Sequence, residues 1–255
     1  SLDGGMTFER PAQWGERRLT QTLEPRVLYV NTPYRAQDTL PLFDTAAKDF
    51  NTISVFSDNA FAGVDRVSDA HQVTAGITTR LIDSANGNEA LRLGIAQRYL
   101  LREQRITPDG VPLTQRFSDV LLVGSAHLSS KWTFDAAVQY SPELNRATRS
   151  LLSARFQPGP FRTLSAAYRL TRGASEQLDV GWQWPLYTRD RSAAAQGSGS
   201  DCRGTLYGVG RINYSLKDSR ITDSLAGFEW DAGCWIGRVV AERISTGRAE
   251  ATTRL

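Results

Sequence analysis

The sequence predicts an all-β protein: an antiparallel transmembrane β-barrel of outer-membrane type, or an incomplete portion of a larger one. Three observations carry that expectation. Segments of alternating apolar and polar residues recur along the chain, aromatic residues stand at the ends of apolar stripes, and the segments are separated by short turns or long polar connections. Successive side chains of a strand point to opposite faces, so strict alternation gives one apolar and one polar face. A tilted membrane strand needs roughly 9–11 residues. It turns apolar side chains to lipid and polar ones to a wet lumen, with rings at the water interfaces.

Taken in order, Val73, Ala75, Ile77, Thr79 and Leu81 oppose Gln72, Thr74, Gly76, Thr78 and Arg80. Leu91, Leu93, Ile95, Tyr99 and Leu101 share a phase broken only by Gln97, opposite Arg92, Gly94, Ala96 and Arg98. Residues 120–128 are fairly apolar on both faces. The clearest segment follows: Trp132, Phe134, Ala136, Val138 and Tyr140 oppose Thr133, Asp135, Ala137 and Gln139. Leu164, Ala166, Tyr168 and Leu170 alternate with Ser165, Ala167, Arg169 and Thr171. Leu178, Val180, Trp182, Trp184 and Leu186 alternate with Gln177, Asp179, Gly181 and Gln183. Leu206, Ile212, Tyr214 and Leu216 oppose Tyr207, Val209, Arg211, Asn213 and Ser215. In residues 224–244 the phase changes midway, which reads as a bulge near Ala232-Gly233.

A soluble sandwich strand also alternates, so repetition and format decide the matter. Few segments carry the continuous apolar run of a strand buried on both sides. Connections at 83–89, 129–131, 158–162 and 217–223 are short, whereas those at 32–70, 102–116 and 187–204 are long and rich in Pro, Gly, Asp and Ser. Outer-membrane barrels keep short turns on the periplasmic side and long loops outside.

The chain of 255 residues has room for one barrel or one large β domain. No stretch approaches the ~18 apolar residues of a transmembrane helix. A mean hydropathy of −0.36 fits strands that offer only alternate residues to lipid. Ser1-Leu-Asp-Gly-Gly5 is not a signal peptide, so the expectation is a removed signal or a start inside a larger protein. With 30 Lys and Arg against 27 Asp and Glu, the net charge is +3, too small to diagnose an anionic partner. The arginines are scattered over strand positions, which argues against nucleic-acid binding.

The sequence offers no enzymatic chemistry. His71 and His127 form no metal spacing with the two cysteines, and there is no phosphate loop or nucleophile elbow. Glu229 and Asp231 share one side of one strand, as carboxylates of a wet face do. The expectation is no catalytic residue, no metal and no cofactor.

One block is more specific than a generic barrel: Gln21-Thr-Leu-Glu-Pro-Arg26, Pro33-Tyr-Arg-Ala-Gln37, Leu40-Pro-Leu-Phe-Asp-Thr45, Asp49-Phe50, Phe61-Ala-Gly-Val-Asp-Arg66 and Asp69-Ala-His-Gln-Val-Thr74. Together with Gln97-Arg-Tyr99, Asn213-Tyr-Ser215, Gly227-Phe-Glu-Trp-Asp231 and Cys234-Trp235, it resembles the lipopolysaccharide-assembly outer-membrane protein family, also called organic solvent tolerance protein. The resemblance covers essentially the whole chain. It implies an outer-membrane location in a Gram-negative bacterium and a role in inserting lipopolysaccharide into the outer leaflet. The implied partners are lipopolysaccharide, a small lipoprotein that plugs the lumen, and a periplasmic bridge that delivers the lipid. Against the family's extent, residues 1–255 read as part of one transmembrane barrel domain of roughly a dozen strands. The N-terminal periplasmic jellyroll and the closing strands then lie outside the chain. Two other readings stay open: a porin-like or receptor channel for small solutes, and a soluble β domain that binds a ligand.

The resemblance and the pattern together nominate residues. Trp132, Phe134, Val138, Tyr140, Trp182 and Trp184 are expected to face lipid. Arg80, Arg98, Arg155 and Arg169 are inward candidates for anion contacts, with pairing to inward Asp and Glu as the alternative. The connection over 32–70 carries Phe43, Phe50, Phe56 and Phe61, apolar anchors that predict an inward-folded loop. Family members often carry adjacent cysteines where this chain has Gly233-Cys234. With Cys202 as its only companion, a hairpin about residues 217–223 centred near Asp218 would oppose 202 and 234 and predict a Cys202–Cys234 disulfide.

Overall fold

In a computed structural model the described residues are 1–37, 39–188, 204–245 and 251–254. They form β1 (Leu2–Gly5), β2 (Phe8–Trp14), β3 (Arg17–Thr32), β4 (Ala46–Ala47), β5 (Phe61–Ala62), β6 (Ala70–Asp83), β7 (Glu89–Leu100) and β8 (Val120–Ser129). Then follow β9 (Trp132–Ser141), β10 (Arg146–Gly159), β11 (Arg162–Thr171), β12 (Ser175–Thr188), β13 (Thr205–Ser215), β14 (Arg220–Asp231), β15 (Ile236–Ser245) and β16 (Ala251–Arg254). The one helical element among the described residues is a 3-10 turn, Ser54–Phe56. No helix of the described residues is long and apolar enough to cross a membrane, which says nothing of strands.

A 14-stranded antiparallel sheet runs in the order β1-β3-β6-β7-β8-β9-β10-β11-β12-β13-β14-β15-β16. β2 pairs with β3 alongside β1, so the two short strands share one position, and the described residues do not pair the two ends of the order. Joined by hairpins, nearly every strand lies beside its sequence neighbour, the connectivity of an up-and-down wall. β4 and β5 pair separately, within the connection from β3 to β6.

Two compact units share the chain: Ser1–Ala126 with Ala136–Arg149, and His127–Asp135 with Ser150–Leu255. In the first, the register Leu28↔Thr74, Arg26↔Gly76 and Thr22↔Arg80 continues as Thr74↔Arg98 and Gly76↔Ala96. Every residue of that row lies on one face. On the opposite row the apolar side chains of Leu23, Val27, Ile77, Leu93, Ile95 and Leu122 are left 40–48% exposed. The buried core is on the other side, where Leu28, Val30, Val55, Ala70, Ala96 and Leu121 pack with Phe50 and Phe56. A soluble sandwich would bury the apolar row instead.

In the second unit the phases also hold across strands. Leu164↔Trp182↔Gly210↔Ala226 and Ala166↔Val180↔Ile212 run along one face. Ala167↔Asp179↔Asn213↔Asp223 and Glu229↔Arg238 run along the other. The Trp182 indole covers the bare backbone of Gly210, where an added Cβ would come within 2.1 Å of the ring.

Two expectations need correction. Residues 224–244 are not one bulged strand: β14 ends at Asp231, Ala232 N donates to Trp235 O at 3.0 Å, and β15 begins at Ile236. Gly233 takes φ +78°, a left-handed value that reverses the chain, so the phase change marks a turn rather than one extra residue. The bulges fall elsewhere, at Leu81/Ile82, Pro185/Tyr187 and Asn213/Tyr214. The second correction concerns the long 187–204 connection. Strand alternation sets it at the same end of its unit as the tight turns at 130–131 and 160–161, and Phe161 at that end meets the Tyr207 ring at 5.8 Å. Loop length therefore does not sort the two ends throughout the chain.

Candidate functional site

The polar face of β3, β6, β7 and β8 carries the densest set of specific contacts, because the long β3–β6 connection folds onto it. Asn51 starts the fold of this loop: its Oδ1 accepts the N–H groups of Ile53 and Ser54, both at 2.9 Å, which nucleates the 3-10 turn. The turn presents Val55, fully buried, to Ala96 and Leu121. Phe56 lies over Gly76, where a Cβ would stand 2.8 Å from its Cζ, so only glycine admits the ring this closely. The Arg26 guanidinium sits 4.6 Å from the same ring.

Arg98 fastens the turn to the strands. Its Nη2 donates to Val55 O at 2.7 Å, and Thr74 Oγ1 donates to that carbonyl at 3.1 Å. The same guanidinium lies 5.9 Å from the Phe50 ring. The outer part of the loop is held by its own polar side chains. Asn59 Oδ1 accepts from Ser68 N at 2.9 Å, Gln37 clasps both backbone groups of Val67, and Asp65 Oδ2 accepts the N–H groups of Phe43 and Asp44. Those donors, the Asp44 amide first, hold the Asp65 carboxyl below the usual carboxylate value. The Asp65 side chain in turn pushes the neighbouring Asp44 carboxyl up. A second connection, 101–119, is tied on by Asp69, whose Oδ1 accepts from Arg105 N at 2.9 Å and Ile106 N at 2.7 Å.

Two spaces remain beside this loop. One, of about 300 Å³, lies among Phe50, Arg98, Leu113, Phe117 and Gln139. The other, of about 340 Å³, lies among Glu24, Arg26, Phe56, Thr78 and Arg80. Among the described residues no group of His, Cys, Asp and Glu is placed to hold a metal.

The family profile described as "LptD: LPS transport system D" matches residues 1–196. The chain belongs to the LptD family. It is 49% identical over 262 residues to the LPS-assembly protein LptD of Polaromonas sp. (strain JS666 / ATCC BAA-500), covering 100% of this chain and 31% of that protein. With the LPS-assembly protein LptD of Paracidovorax citrulli (strain AAC00-1) it shares 45% identity over 261 residues, covering 100% of this chain and 32% of the relative. Aromatoleum aromaticum (strain DSM 19018 / LMG 30748 / EbN1) has an LPS-assembly protein LptD that is 41% identical over 256 residues, covering 100% and 30%. The chain thus spans about a third of the length of the curated relatives it matches.

Within this LptD-family chain the nominated residues fall in different settings. Arg80 and Arg98 share the polar face under the loop, where Arg80 pairs with Glu24 at 3.1 Å and Glu89 at 3.7 Å. Arg155 and Arg169 lie in the second unit, exposed and outside any ion pair among the described residues. Asp179 and Arg211 pair at 2.7 Å on that unit's polar face, and Arg238 pairs with Glu229, which also accepts from Gln183. Trp132 stacks on Phe134 at 5.5 Å and meets Phe156 at a tilt, at 4.7 Å. On the polar side of the same strand Asp135 meets Ser153 at 3.5 Å, and Gln139 donates to Asp119 at 2.7 Å. Val138 and Tyr140 share the phase of Trp132, and Trp182 and Trp184 the apolar row of β12. Of the loop phenylalanines, Phe50, Phe56 and Phe61 pack inward, whereas Phe43 is 83% exposed. Cys202 lies outside the described residues; Cys234 sits in the β14–β15 turn, its Sγ 3.7 Å from Ala232 O.

Asp69, Asn59 and Gln37 have roles that periodicity could not announce, because loop side chains bond to backbone in no repeating pattern. Asp69 and Gln37 do occur in the block that carries the family resemblance, which marks their positions but not their partners.

Proposed function

We propose that this chain is the membrane-embedded part of a protein that assembles lipopolysaccharide in the outer membrane of a Gram-negative bacterium. The observation that carries the reading is the inverted burial of the first unit. Its apolar row is exposed across β3, β6, β7 and β8, and its polar row buries a folded loop. An exposed apolar face of that extent suits hydrocarbon, not water. Trp132, Phe134, Val138, Tyr140, Trp182 and Trp184 then face lipid, and Arg80, Arg98, Arg155 and Arg169 face the lumen. Lipopolysaccharide is the cargo. A small lipoprotein fills the lumen, and a periplasmic bridge delivers the lipid to a part of the protein beyond these residues. The activity is transfer and insertion without covalent catalysis.

Depletion of the full-length protein in its own bacterium tests the function. Lipopolysaccharide should disappear from the cell surface and accumulate inside. Intact surface lipopolysaccharide with lost uptake of small solutes would favour a channel instead. Folding without detergent would favour a soluble domain.

The same reading includes a Cys202–Cys234 disulfide. Support comes from composition: these are the chain's two cysteines, and the outer membrane borders oxidising compartments. Non-reducing peptide mapping of the full-length protein should recover the two cysteines joined; two free thiols would refute the pairing.

A further inference from the structure

We infer that the outward face of the first unit carries, near its tight turns, a site for one glycerophospholipid, and this rests on the membrane reading above. Arg10 takes the phosphate, and a groove beside it takes an acyl chain. The register fixes the face. Phe8↔Leu23↔Thr79↔Leu93 is one row of the exposed apolar side, and Arg10↔Gln21↔Leu81↔Leu91 is the next row on that same side. Phe8 and Trp14, which flank Arg10 along β2 on this face, are 54% and 52% exposed. An arginine between them is a charge turned to lipid, costly unless it reaches a partner at the membrane boundary. In this unit the tight connections 15–16 and 84–88 lie at the Arg10 end, and the long ones, 33–69 and 101–119, at the other. Outer-membrane barrels keep short turns on the periplasmic side, so Arg10 stands at the periplasmic leaflet.

Arg10 is held ready for an anion that the surrounding strands do not supply. Its Nε donates to Gln21 Oε1 at 2.7 Å, and Gln21 Nε2 donates to Thr79 Oγ1 at 3.2 Å. Thr79 Oγ1 donates in turn to Thr22 O at 2.8 Å, which closes the relay on the backbone. The guanidinium is thus pinned by one nitrogen, and it makes no ion pair among the described residues. Glu9 and Glu24 belong to the opposite face, paired with Thr22 and Thr78, and Asp83, on the same side as Arg10, accepts from Ala85 N at 2.8 Å. A guanidinium fork fits phosphate oxygens, which it can take two at a time. Starting at the next row, a groove of about 430 Å³ runs away from the tight turns among Leu23, Ile77, Leu93, Ile95, Leu122 and Val123. Its size is that of a small-molecule site, and its walls are hydrocarbon. A head at the periplasmic boundary and a chain pointing to the midplane is the orientation of a lipid of that leaflet. One guanidinium and one groove match a single phosphodiester and its chain, not a glycolipid of the opposite leaflet.

Native mass spectrometry of the purified full-length protein in detergent tests the site, with phosphatidylglycerol as the probe. Arg10→Gln should weaken binding about five-fold, the value expected for one basic residue at a membrane surface, and Arg10→Lys should restore most of it. Leu93→Trp, which fills the groove and leaves the charge alone, should weaken binding as well. Arg18→Gln removes the same charge at the same end but on the other face, opposite Gln13, and should change nothing. Diacylglycerol, which lacks the phosphate, should bind wild type and Arg10→Gln alike. Far-UV circular dichroism checks that each variant is folded. Unchanged affinity in folded Arg10→Gln would overturn the inference. Full competition by millimolar inorganic phosphate would also overturn it, by leaving an anion site without a chain, as would displacement by an equal concentration of lipid A. Failure of the membrane reading would look different: the protein would stay folded without detergent and capture neither phosphatidylglycerol nor diacylglycerol.

Discussion

Arg98→Met is the sharpest test of how the β3–β6 loop is held. Methionine keeps an unbranched stem of similar reach, so the packing against Phe50 is largely retained while every N–H donor is lost. The main loss is the charge-assisted bond to Val55 O at 2.7 Å, worth about 1.5–3 kcal/mol. The cation–π contact to Phe50, at 5.9 Å, adds about 0.5–1 kcal/mol. The carbonyl is not wholly orphaned, because Thr74 Oγ1 still donates to it at 3.1 Å. Together these put local opening of the turn about 2–4 kcal/mol closer, roughly a 30- to 700-fold rise in its open population. Amide hydrogen exchange reads this directly at Val55 N and Ser57 N, which bond to Asn51 O at 2.9 Å and Ser54 O at 3.0 Å. Adding Thr74→Val should then cost more than it does alone, since both side chains serve one acceptor. Unchanged exchange at Val55, or an equal rise across residues 60–68, would refute a local latch.

Val138→Arg should destabilise the protein by about 2–4 kcal/mol in a folding titration of the full-length chain, whereas Gln139→Arg should cost much less; equal tolerance would reject the assigned faces. Asp69→Ala should free the Arg105 and Ile106 amides, at about 1.5–3 kcal/mol of local stability, while Asp69→Asn keeps an acceptor at Oδ1 and should retain most of their exchange protection. The Asp65 clasp should be pH-dependent. Its folded value is depressed, so its stabilisation is present above the ordinary 3.8 and lost as pH falls below it. Asp44 is shifted the other way, upward, so as pH falls its protonation comes before that of Asp65 and should first tighten the loop. Exchange at Phe43 and Asp44, corrected for intrinsic rates, should pass through a minimum between the two titrations in wild type and lose its acid limb in Asp65→Asn.

The strands were legible because one physical rule, two faces per strand, acts at every position. The rows Gln72 to Arg80 and Arg92 to Arg98, read from the sequence, are the rows that the register sets side by side. The reversal at Gly233 was not, since a tight turn and a bulge both shift phase, and only the left-handed φ of the glycine separates them. Loop length misled at 187–204 because the rule that places long loops outside describes a tendency of whole barrels, not each connection. At the candidate site, the phenylalanines announced that the 32–70 loop would pack, as hydrophobic anchors must. The partner of Arg98 was beyond reach: a guanidinium on a polar row fits a lumen phosphate, a carboxylate or a backbone carbonyl equally well, and only the path of the loop brings Val55 O to it.

The two units share cross-strand ion pairs on their polar faces, and the first adds a folded loop. A polar face turned to a membrane protein's interior must satisfy its charges or leave them wet. In the first unit the loop supplies a backbone carbonyl for Arg98 and an aromatic ring for Arg26, while cross-strand acids also hold Arg26 and Arg80, through Asp3 and Glu24. In the second, cross-strand pairs do it: Asp179 with Arg211, and Glu229 with Arg238. Arg80 already has two carboxylates and Arg98 has its carbonyls, so an arriving phosphate would have to displace contacts that hold the loop or the strands. Arg155 and Arg169 have no such prior engagement among the described residues. If anionic cargo meets strand arginines on the polar face, these two would bind it at the lowest cost. Charge removal there should weaken cargo contact without loosening the fold, whereas at Arg98 both effects must appear together.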